Sequence, residues 1–201
     1  MPNAASFDQP PPPSALGVVA LLRELGVTHL VTLPDNTSAP VLDAVASSET
    51  EAADDGPQGA GVRVLFGTRE GEIISVASGL WMGGARPMVL IQNTGLLESG
   101  DSLRGTAARM GVPLVLLVTC RGFAKARSAG LEPDGVEVDR DVLVRNDLDS
   151  VAHMTASTLR AWGIPFLLLT DAMDLSPIRQ ANEMAQTEAR PVAVLIDTSF
   201  T

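Results

Sequence analysis

The sequence has no tyrosine, only 3% aromatic residues and a single cysteine. So few aromatic rings argue against the stacking surfaces on which proteins bind single-stranded nucleic acid. One cysteine, Cys120, cannot form an intramolecular disulfide, so we expect a reduced, cytoplasmic protein. No apolar run reaches the roughly 18 residues of a membrane span. The N-terminal stretch MPNAASFDQPPPP has neither the basic nor the apolar region of a signal peptide.

Basic residues are also scarce, with 14 Lys and Arg against 24 Asp and Glu and a formal net charge of −10. A chain this acidic repels phosphate backbones, which argues against nucleic-acid binding. The phosphate-binding P-loop, the dinucleotide fingerprint and the nucleophile elbow are all missing. His29, His153 and Cys120 do not have the spacing of metal ligands, so no metal site is expected in this chain. The 45% of hydrophobic residues is enough for the core of one domain.

Six apolar, β-branched stretches predict strands, and helical spacing of apolar residues predicts helices between them. The predicted strands are 27–33, 62–66, 87–91, 112–118, 165–169 and 191–196, and the predicted helices are 14–26, 38–46, 70–82, 96–110, 152–162 and 177–189. This alternation predicts one doubly wound α/β domain over residues 14–201, a mostly parallel six-stranded sheet flanked by helices. Residues 1–13 are predicted to be a disordered proline-rich tail.

Continuous apolar runs form four of the strands, at 88–91, 114–118, 166–169 and 192–196, and we expect them to be buried on both faces. Residues 119–148 are expected to be irregular. In doubly wound sheets, function lies at the carboxyl ends of the strands. The segments that follow the strands are therefore the candidate functional regions: 34–37, 67–72, 92–99, 119–122 and 170–174.

Four short motifs occur at these strand ends: Leu33-Pro34-Asp35-Asn36, Arg69-Glu70-Gly71-Glu72, Gln92-Asn93-Thr94-Gly95-Leu96 and Cys120-Arg121-Gly122. In this order they resemble the pyrimidine-binding domain of thiamine-diphosphate-dependent enzymes. The resemblance runs from about residue 14 to the end of the chain. It is strongest to the alpha subunit of sulfopyruvate decarboxylase and to the matching half of phosphonopyruvate decarboxylase.

The resemblance implies that Glu70 is catalytic and binds the cofactor. In this family a glutamate holds a proton on N1′ of the aminopyrimidine ring, which favours the tautomer whose N4′ acts as a base. Such a hydrogen bond has to be shielded from water. Without the other motifs, an acidic residue at a helix N-terminus would be explained by the helix dipole alone. Glu72 lies roughly 200° further around the helix and is interpreted as a supporting or interfacial residue.

The motif after the third strand supplies the other candidate cofactor ligands, Gln92, Asn93, Thr94 and Gly95. The amides of Gln92 and Asn93 and the hydroxyl of Thr94 stand at a strand end. This position suits cofactor binding or a partner interface, and it suits ordinary loop capping equally well.

Two further motifs supply candidates for substrate contact. The resemblance places Asp35 beside the substrate as a second catalytic residue, although an Asp after Pro also forms turns. Asn36 and Arg121 are candidate substrate-binding residues, Arg121 because a guanidinium pairs with anions. An arginine after a strand is more commonly a solvated or ion-paired surface residue.

The resemblance also implies a partner, because the family holds the diphosphate and Mg²⁺ on a second domain with a Gly-Asp-Gly motif and a later Asn. Neither that motif nor room for that domain is present here. We therefore expect a separate beta subunit, with thiamine diphosphate at the interface of an α2β2 or larger assembly. The helix that begins at Glu70 carries small residues and is expected to pack on another subunit.

One segment departs from the family, which commonly has Asp-Glu-Pro-Gln-His after the Arg-Gly pair. Here Gly135 replaces the histidine, in Leu131-Glu132-Pro133-Asp134-Gly135. Decarboxylation of a small anionic 2-oxo acid such as sulfopyruvate or phosphonopyruvate is the predicted function. The alternatives are a non-catalytic or regulatory subunit and a thiamine-dependent carboligase or lyase subunit.

Overall fold

The computed structural model of the chain describes residues 14–52, 61–135, 138–171 and 173–200. Within them, one sheet of six parallel strands is flanked by helices, so the predicted α/β fold is confirmed. The strands are β1 (His29–Thr32), β2 (Arg63–Phe66), β3 (Pro87–Gln92), β4 (Val115–Thr119), β5 (Phe166–Leu169) and β6 (Val192–Ile196). The predicted tail at residues 1–13 lies outside the described residues.

Helices connect the strands and cover both faces of the sheet. They are α1 (Ala15–Glu24), α2 (Ala39–Ala52), α3 (Glu70–Met82), α4 (Asn93–Glu98), α5 (Gly100–Ser102), α6 (Phe123–Ser128), α7 (Arg140–Leu143), α8 (Ser150–Ala161) and α9 (Ser176–Glu188), with a π-helical turn at Leu103–Ala107. No helix in the described ranges is long and apolar enough to cross a membrane.

The strand order is β2-β1-β3-β4-β6-β5. The chain reverses direction across the sheet when β3 pairs on the side of β1 that β2 left open, and such a reversal opens a crevice at the carboxyl ends of the strands. The register pairs Thr32 with Leu90, and Gln92 with Thr119. The segments after β1, β3 and β4 therefore meet at one edge of the sheet.

Alternation along the strands divides the core into two layers. Leu30, Met88 and Leu90 point to the layer formed with α1, α2 and α9. Val31 and Val89 point to the opposite layer, which contains α3 and α8. Strands β3, β4 and β6 are buried along nearly their whole length, as expected for apolar strands between two helical layers.

Three sequence predictions were wrong. The apolar strand Phe166–Leu169 is only half-buried over its first three residues, because it forms an edge of the sheet. The helix predicted at 96–110 begins at Asn93 and is broken into α4, α5 and the π-helical turn. Gly100, where the indole of Trp162 packs against the backbone, lowers the helix propensity at that break. Residues 119–148, predicted to be irregular, contain the short helices α6 and α7.

Candidate active site

Glu70 is the first residue of α3 and is half-buried at the carboxyl edge of the sheet. Its side chain lies against Gly95 near the start of α4. A Cβ built on Gly95 would be 2.5 Å from the Glu70 Oε1 atom and 2.7 Å from its Cδ atom. Glycine at position 95 is thus what allows the carboxylate to rest on the backbone of α4. No hydrogen bond or ion pair joins this carboxylate to any residue that the structure describes.

Glu72, in contrast, is used to shape the turn before α3. Its Oε2 atom accepts hydrogen bonds from the backbone N–H and the hydroxyl of Thr68, each at 2.7 Å. The bonds from Thr68 lower the pKa of the Glu72 carboxyl. A carboxylate in the first turn that bonds back to the preceding loop fixes the helix start. This contact agrees with the supporting role predicted for Glu72.

Glu98 of α4 fixes the same helix start from the outside. Its Oε1 atom accepts from Arg69 Nη2 at 2.6 Å and Nε at 3.2 Å, and its Oε2 atom accepts from the backbone N–H of Gly71 at 2.8 Å. Arg69, first, and Gly71, second, lower the pKa of the Glu98 carboxyl. Arg69 itself makes no side-chain capping bond. Glu98 of α4 therefore caps the start of α3, and the two residues that it binds, Arg69 and Gly71, are the neighbours of Glu70 in the chain.

Sequence reasoning missed Glu98, because nothing in the linear order pairs position 98 with positions 69 and 71. Its only signal was membership of the segment 92–99 after a predicted strand.

Asp35 forms the turn that leads from β1 into α2. Its Oδ1 atom accepts from the backbone N–H groups of Thr37 at 2.7 Å and Ser38 at 3.1 Å, and its Oδ2 atom accepts from the Ser38 hydroxyl at 2.8 Å. The Thr37 hydroxyl lies 2.7 Å from that of Thr119, which ties this turn to the end of β4. Both oxygens of Asp35 are thus engaged locally, which favours the turn-forming alternative over a catalytic role.

Asn93 is fully buried and joins the ends of β3 and β4. Its Nδ2 atom donates to the Arg121 carbonyl at 3.0 Å and to the Thr155 hydroxyl at 3.2 Å, while its Oδ1 atom accepts from the Arg121 N–H at 3.2 Å. The neighbouring hydroxyl of Thr94 donates to Gln92 Oε1 at 2.9 Å. Thr94 is exposed and Gln92 half-buried, so these two remain reachable by a ligand.

A cavity of about 400 Å³ opens at the carboxyl ends of β4 and β6, beside the turn after β1. It brings together Asn36 and Arg121, the two residues predicted to contact substrate. The Arg121 guanidinium is paired with Asp149, with Nε and Oδ2 2.8 Å apart. Cys120 also lines the cavity, and burial raises the pKa of its thiol to about 12, which keeps it in the unreactive protonated form.

Among the described residues, no group of three or more His, Cys, Asp and Glu side chains is placed to hold a metal ion. Of the sequence-predicted residues, Glu70 and Gly95 are in contact, and Asn93 is bonded to Arg121. Arg121 and Asn36 share the cavity.

No protein-family model matches the chain. Among relatives, phosphonopyruvate decarboxylase from Streptomyces viridochromogenes is 32% identical over 108 residues, which are 54% of this chain and 24% of that protein. The chain thus spans about a quarter of that relative's length. The alpha subunit of sulfopyruvate decarboxylase from Methanothermobacter thermautotrophicus is 26% identical over 188 residues, covering 93% of this chain and 97% of the subunit.

Solved structures share the fold at lower identity. Benzoylformate decarboxylase from Polynucleobacter necessarius superposes with a TM-score of 0.56 at 19% identity, over 92% of this chain and 30% of that one. A Mycobacterium smegmatis protein assigned to the thiamin diphosphate-dependent enzymes gives 0.59 at 18% identity, over 93% and 31%. The resemblance drawn from four motifs is therefore confirmed: the chain is similar to sulfopyruvate decarboxylase alpha subunits and phosphonopyruvate decarboxylases, and its fold is found in part of larger thiamin diphosphate-dependent enzymes.

Proposed function

We propose that this chain is the alpha, pyrimidine-binding subunit of a thiamine-diphosphate-dependent decarboxylase of small anionic 2-oxo acids. One observation carries the proposal. Glu70 is half-buried at the carboxyl edge of the sheet and is unpaired among the described residues, while Glu72 and Glu98 beside it are both bonded. A carboxylate held in place by its neighbours, yet without a partner of its own, is available to a ligand.

The aminopyrimidine ring is proposed to bind at the Glu70 carboxylate. The bare backbone at Gly95 leaves space that a Cβ would fill, and the carboxylate lies directly on it. There Glu70 would hold a proton on the N1′ atom of the ring by a charge-assisted hydrogen bond. Gln92 and Thr94 offer further polar groups, while Asn93 holds the backbone of this segment from below. When bound, the cofactor supplies the nucleophilic carbon and accepts the electrons released as CO2 leaves.

The substrate class follows from the relatives and the cavity. The relatives are named for phosphonopyruvate and sulfopyruvate, which are small anionic 2-oxo acids. The cavity of about 400 Å³ is within the size range of small-ligand sites. Asn36 and Arg121 line it and are proposed to contact the substrate. Asp35 enters this proposal as the residue that shapes the loop carrying Asn36.

The partner is proposed to dock on the face formed by β2 and α3. Phe66 of β2 and Val76 and Met82 of α3 are 61%, 40% and 67% exposed, and exposed apolar side chains of this kind are typical of partner contacts. Two of the relatives are themselves named as alpha subunits. The partner would bring the Gly-Asp-Gly motif that binds the diphosphate and Mg²⁺, in an α2β2 or larger assembly. The cytoplasmic location stays a prediction.

The decisive experiment compares Glu70→Gln with Glu72→Gln, each co-expressed with a partner chain that carries Gly-Asp-Gly. Glutamine keeps the size of the side chain but removes the carboxylate that holds the proton. We expect Glu70→Gln to lower kcat by about 100-fold or more, the range of acid–base groups. Glu72→Gln, two residues away, should keep most of the activity, with assembly unchanged in both variants as measured by size-exclusion chromatography.

A Glu70→Gln complex with wild-type turnover would overturn the catalytic assignment. A wild-type complex that binds thiamine diphosphate in titrations but forms neither CO2 nor aldehyde would favour the non-catalytic alternative. Product analysis with an added acceptor aldehyde separates decarboxylation from carboligation, because only the latter consumes the acceptor.

A further inference from the structure

Lys125 is the only lysine in the sequence, since the other 13 of its 14 basic residues are arginines. It lies on α6 and lines the cavity that also contains Asn36 and Arg121. The lysine ammonium is a compact point charge on a flexible stem, and such a group can bind a phosphonate or a sulfonate.

The arginines near Lys125 are already paired. Arg121 is bound to Asp149, Arg127 to Asp197, and Arg145 to Asp147. None of the ion pairs within the described part of the chain includes Lys125. The pKa of the Asp147 carboxyl is lowered mainly by Arg145, which is bonded to both of its oxygens at 3.0 and 2.5 Å, and only weakly by Lys125.

The other groups of the cavity complement one positive charge. Asp197 is 93% covered and neutralised by Arg127, so its negative charge does not oppose an anion. The hydroxyls of Thr198 and Ser199 line the same space and can donate hydrogen bonds to anionic oxygens. Asp149 offsets the charge of Arg121, whose remaining N–H groups can still donate to the substrate, so the unbalanced positive charge of the cavity is that of Lys125.

The cavity is connected to Glu70 by a short series of contacts. Glu70 rests on Gly95, and Asn93, two residues before Gly95, is bonded in both directions to the backbone of Arg121 at the cavity wall. Glu70 and the cavity therefore lie at the same edge of the sheet, on segments that are bonded to each other.

We propose that Lys125 binds the second anionic group of the substrate, the group on C3 of a three-carbon 2-oxo acid, and so selects substrates that carry one. This inference rests on the proposed function and adds a specificity residue to it. Phosphonate, sulfonate and carboxylate share the required chemistry, and the test below distinguishes them.

The first experiment measures kinetics in the complex with the partner subunit, on phosphonopyruvate, sulfopyruvate, oxaloacetate and pyruvate. Lys125→Met should raise KM about 10- to 100-fold for the substrates whose C3 group the site accepts, the loss typical of one charged hydrogen bond. The kcat values, and every constant for pyruvate, should stay near wild type. Lys125→Arg should restore most of the affinity.

Arg140→Met is the matched control, because Arg140 of α7 is an exposed cation that does not line the cavity and has no ion-pair partner among the described residues. A loss of long-range attraction would raise KM equally in both variants, whereas a direct contact raises it only in Lys125→Met. Equal effects in the two variants, an equal effect on pyruvate, or no effect would each overturn the proposal.

The second experiment does not depend on turnover. Reductive methylation with labelled formaldehyde gives one side-chain methyl signal, from Lys125, and keeps its positive charge. Only this chain is labelled, and the complex is titrated with phosphonopyruvate, sulfopyruvate, oxaloacetate and pyruvate. A saturable shift with a C3-anionic acid and not with pyruvate supports the site even in a complex that fails to decarboxylate, in which case the proposed function alone falls. No shift with any of them overturns the site whatever the turnover.

Discussion

Two groups of charged side chains, one mainly acidic and one mainly basic, lie at the carboxyl edge of the sheet. In each group, all charged side chains except one are paired with other described residues. The acidic group is Glu70, Glu72 and Glu98 with Arg69; the basic group is Lys125, Arg121 and Arg127 with Asp149 and Asp197. In the first group only Glu70 has no bonded partner among the described residues, and in the second only Lys125. In each group the ion pairs and hydrogen bonds of the other charged side chains hold the backbone in place. One charge then remains for a ligand, that of Glu70 in the acidic group and that of Lys125 in the basic group.

The two groups differ in how firmly that charge is held. Glu70 is half-buried at the start of a 13-residue helix and rests on backbone, whereas Lys125 is exposed on a helix of 6 residues. A carboxylate in a drier site interacts more strongly with a ligand than an exposed ammonium does. Removal of the Glu70 carboxylate should therefore have a larger effect on activity than removal of the Lys125 charge, and the following variants test how the Glu70 carboxylate is held in place.

Gly95→Ala should have the largest effect of the three. The new Cβ would lie 2.5 Å from Glu70 Oε1, so the carboxylate must move away from α4. Displacement of a catalytic group by about 1 Å costs on the order of 100-fold in rate, and we expect that loss in kcat/KM. The atom nearest to the new Cβ is Glu70 Cγ, so the side chain must rotate as a whole. Because the three nearest atoms all belong to this one side chain, the Tm should stay near wild type.

Gly17→Ala on α1 is the control, because its Cβ would meet Leu175 at an ordinary 3.6 Å, far along the chain from the site. It should leave kcat/KM unchanged. Wild-type activity in Gly95→Ala would mean that Glu70 does not act from the position seen here.

Glu98→Gln should have an intermediate effect, about a 10-fold loss of kcat/KM, because the start of α3 loses its charged cap while Glu70 remains. The Glu98 pKa is lowered in the folded chain, by Arg69 first and Gly71 second, so its contribution to stability is present above the ordinary value of 4.5 and is lost as pH falls below it. The Tm difference between wild type and variant should thus be constant at neutral pH and shrink below pH 4.5. Thermal melts over that pH range measure it.

Asp101→Asn is the control for Glu98→Gln, since Asp101 is a 95% exposed acid paired only with the nearby Arg104. It should change neither activity nor the pH dependence of Tm. A Tm difference for Glu98→Gln that does not shrink at all as the pH falls below 4.5 would contradict the role of the Glu98 charge.

Asp35→Asn should have the smallest effect on activity. Asparagine keeps the Oδ1 atom, which can still accept the hydrogen bonds from the backbone N–H groups of Thr37 and Ser38. Its NH2 group replaces Oδ2 and cannot accept the hydrogen bond from the Ser38 hydroxyl. We expect a Tm lower by about 2–4 °C, as for the loss of roughly 1 kcal/mol in a domain of this size, with kcat within about 3-fold of wild type. Loss of activity at an unchanged Tm would restore Asp35 as a catalytic residue.

The alternation of apolar, β-branched stretches with helical segments was enough to predict the six parallel strands. Strands buried between two helical layers have apolar residues on both faces, and such continuous apolar runs are recognisable in the sequence. The same reasoning placed the candidate functional segments after β1, β2, β3, β4 and β5. It was wrong for Phe166–Leu169, because apolar composition does not say which strand forms the edge of a sheet. The break at Gly100 was also missed, since it depends on Trp162 from a distant helix.

Sequence alone was enough to predict Glu70 as the candidate catalytic residue, since its motif and its place after a strand are local properties. Only the tertiary structure shows which charged side chains are already paired within the protein. Arg121 is paired with Asp149, Asp35 is used in a turn, and Glu98 caps a helix from 27 residues away in the chain. Lys125 emerged for the same reason, because the availability of a charge depends on neighbours that only folding brings within hydrogen-bond distance.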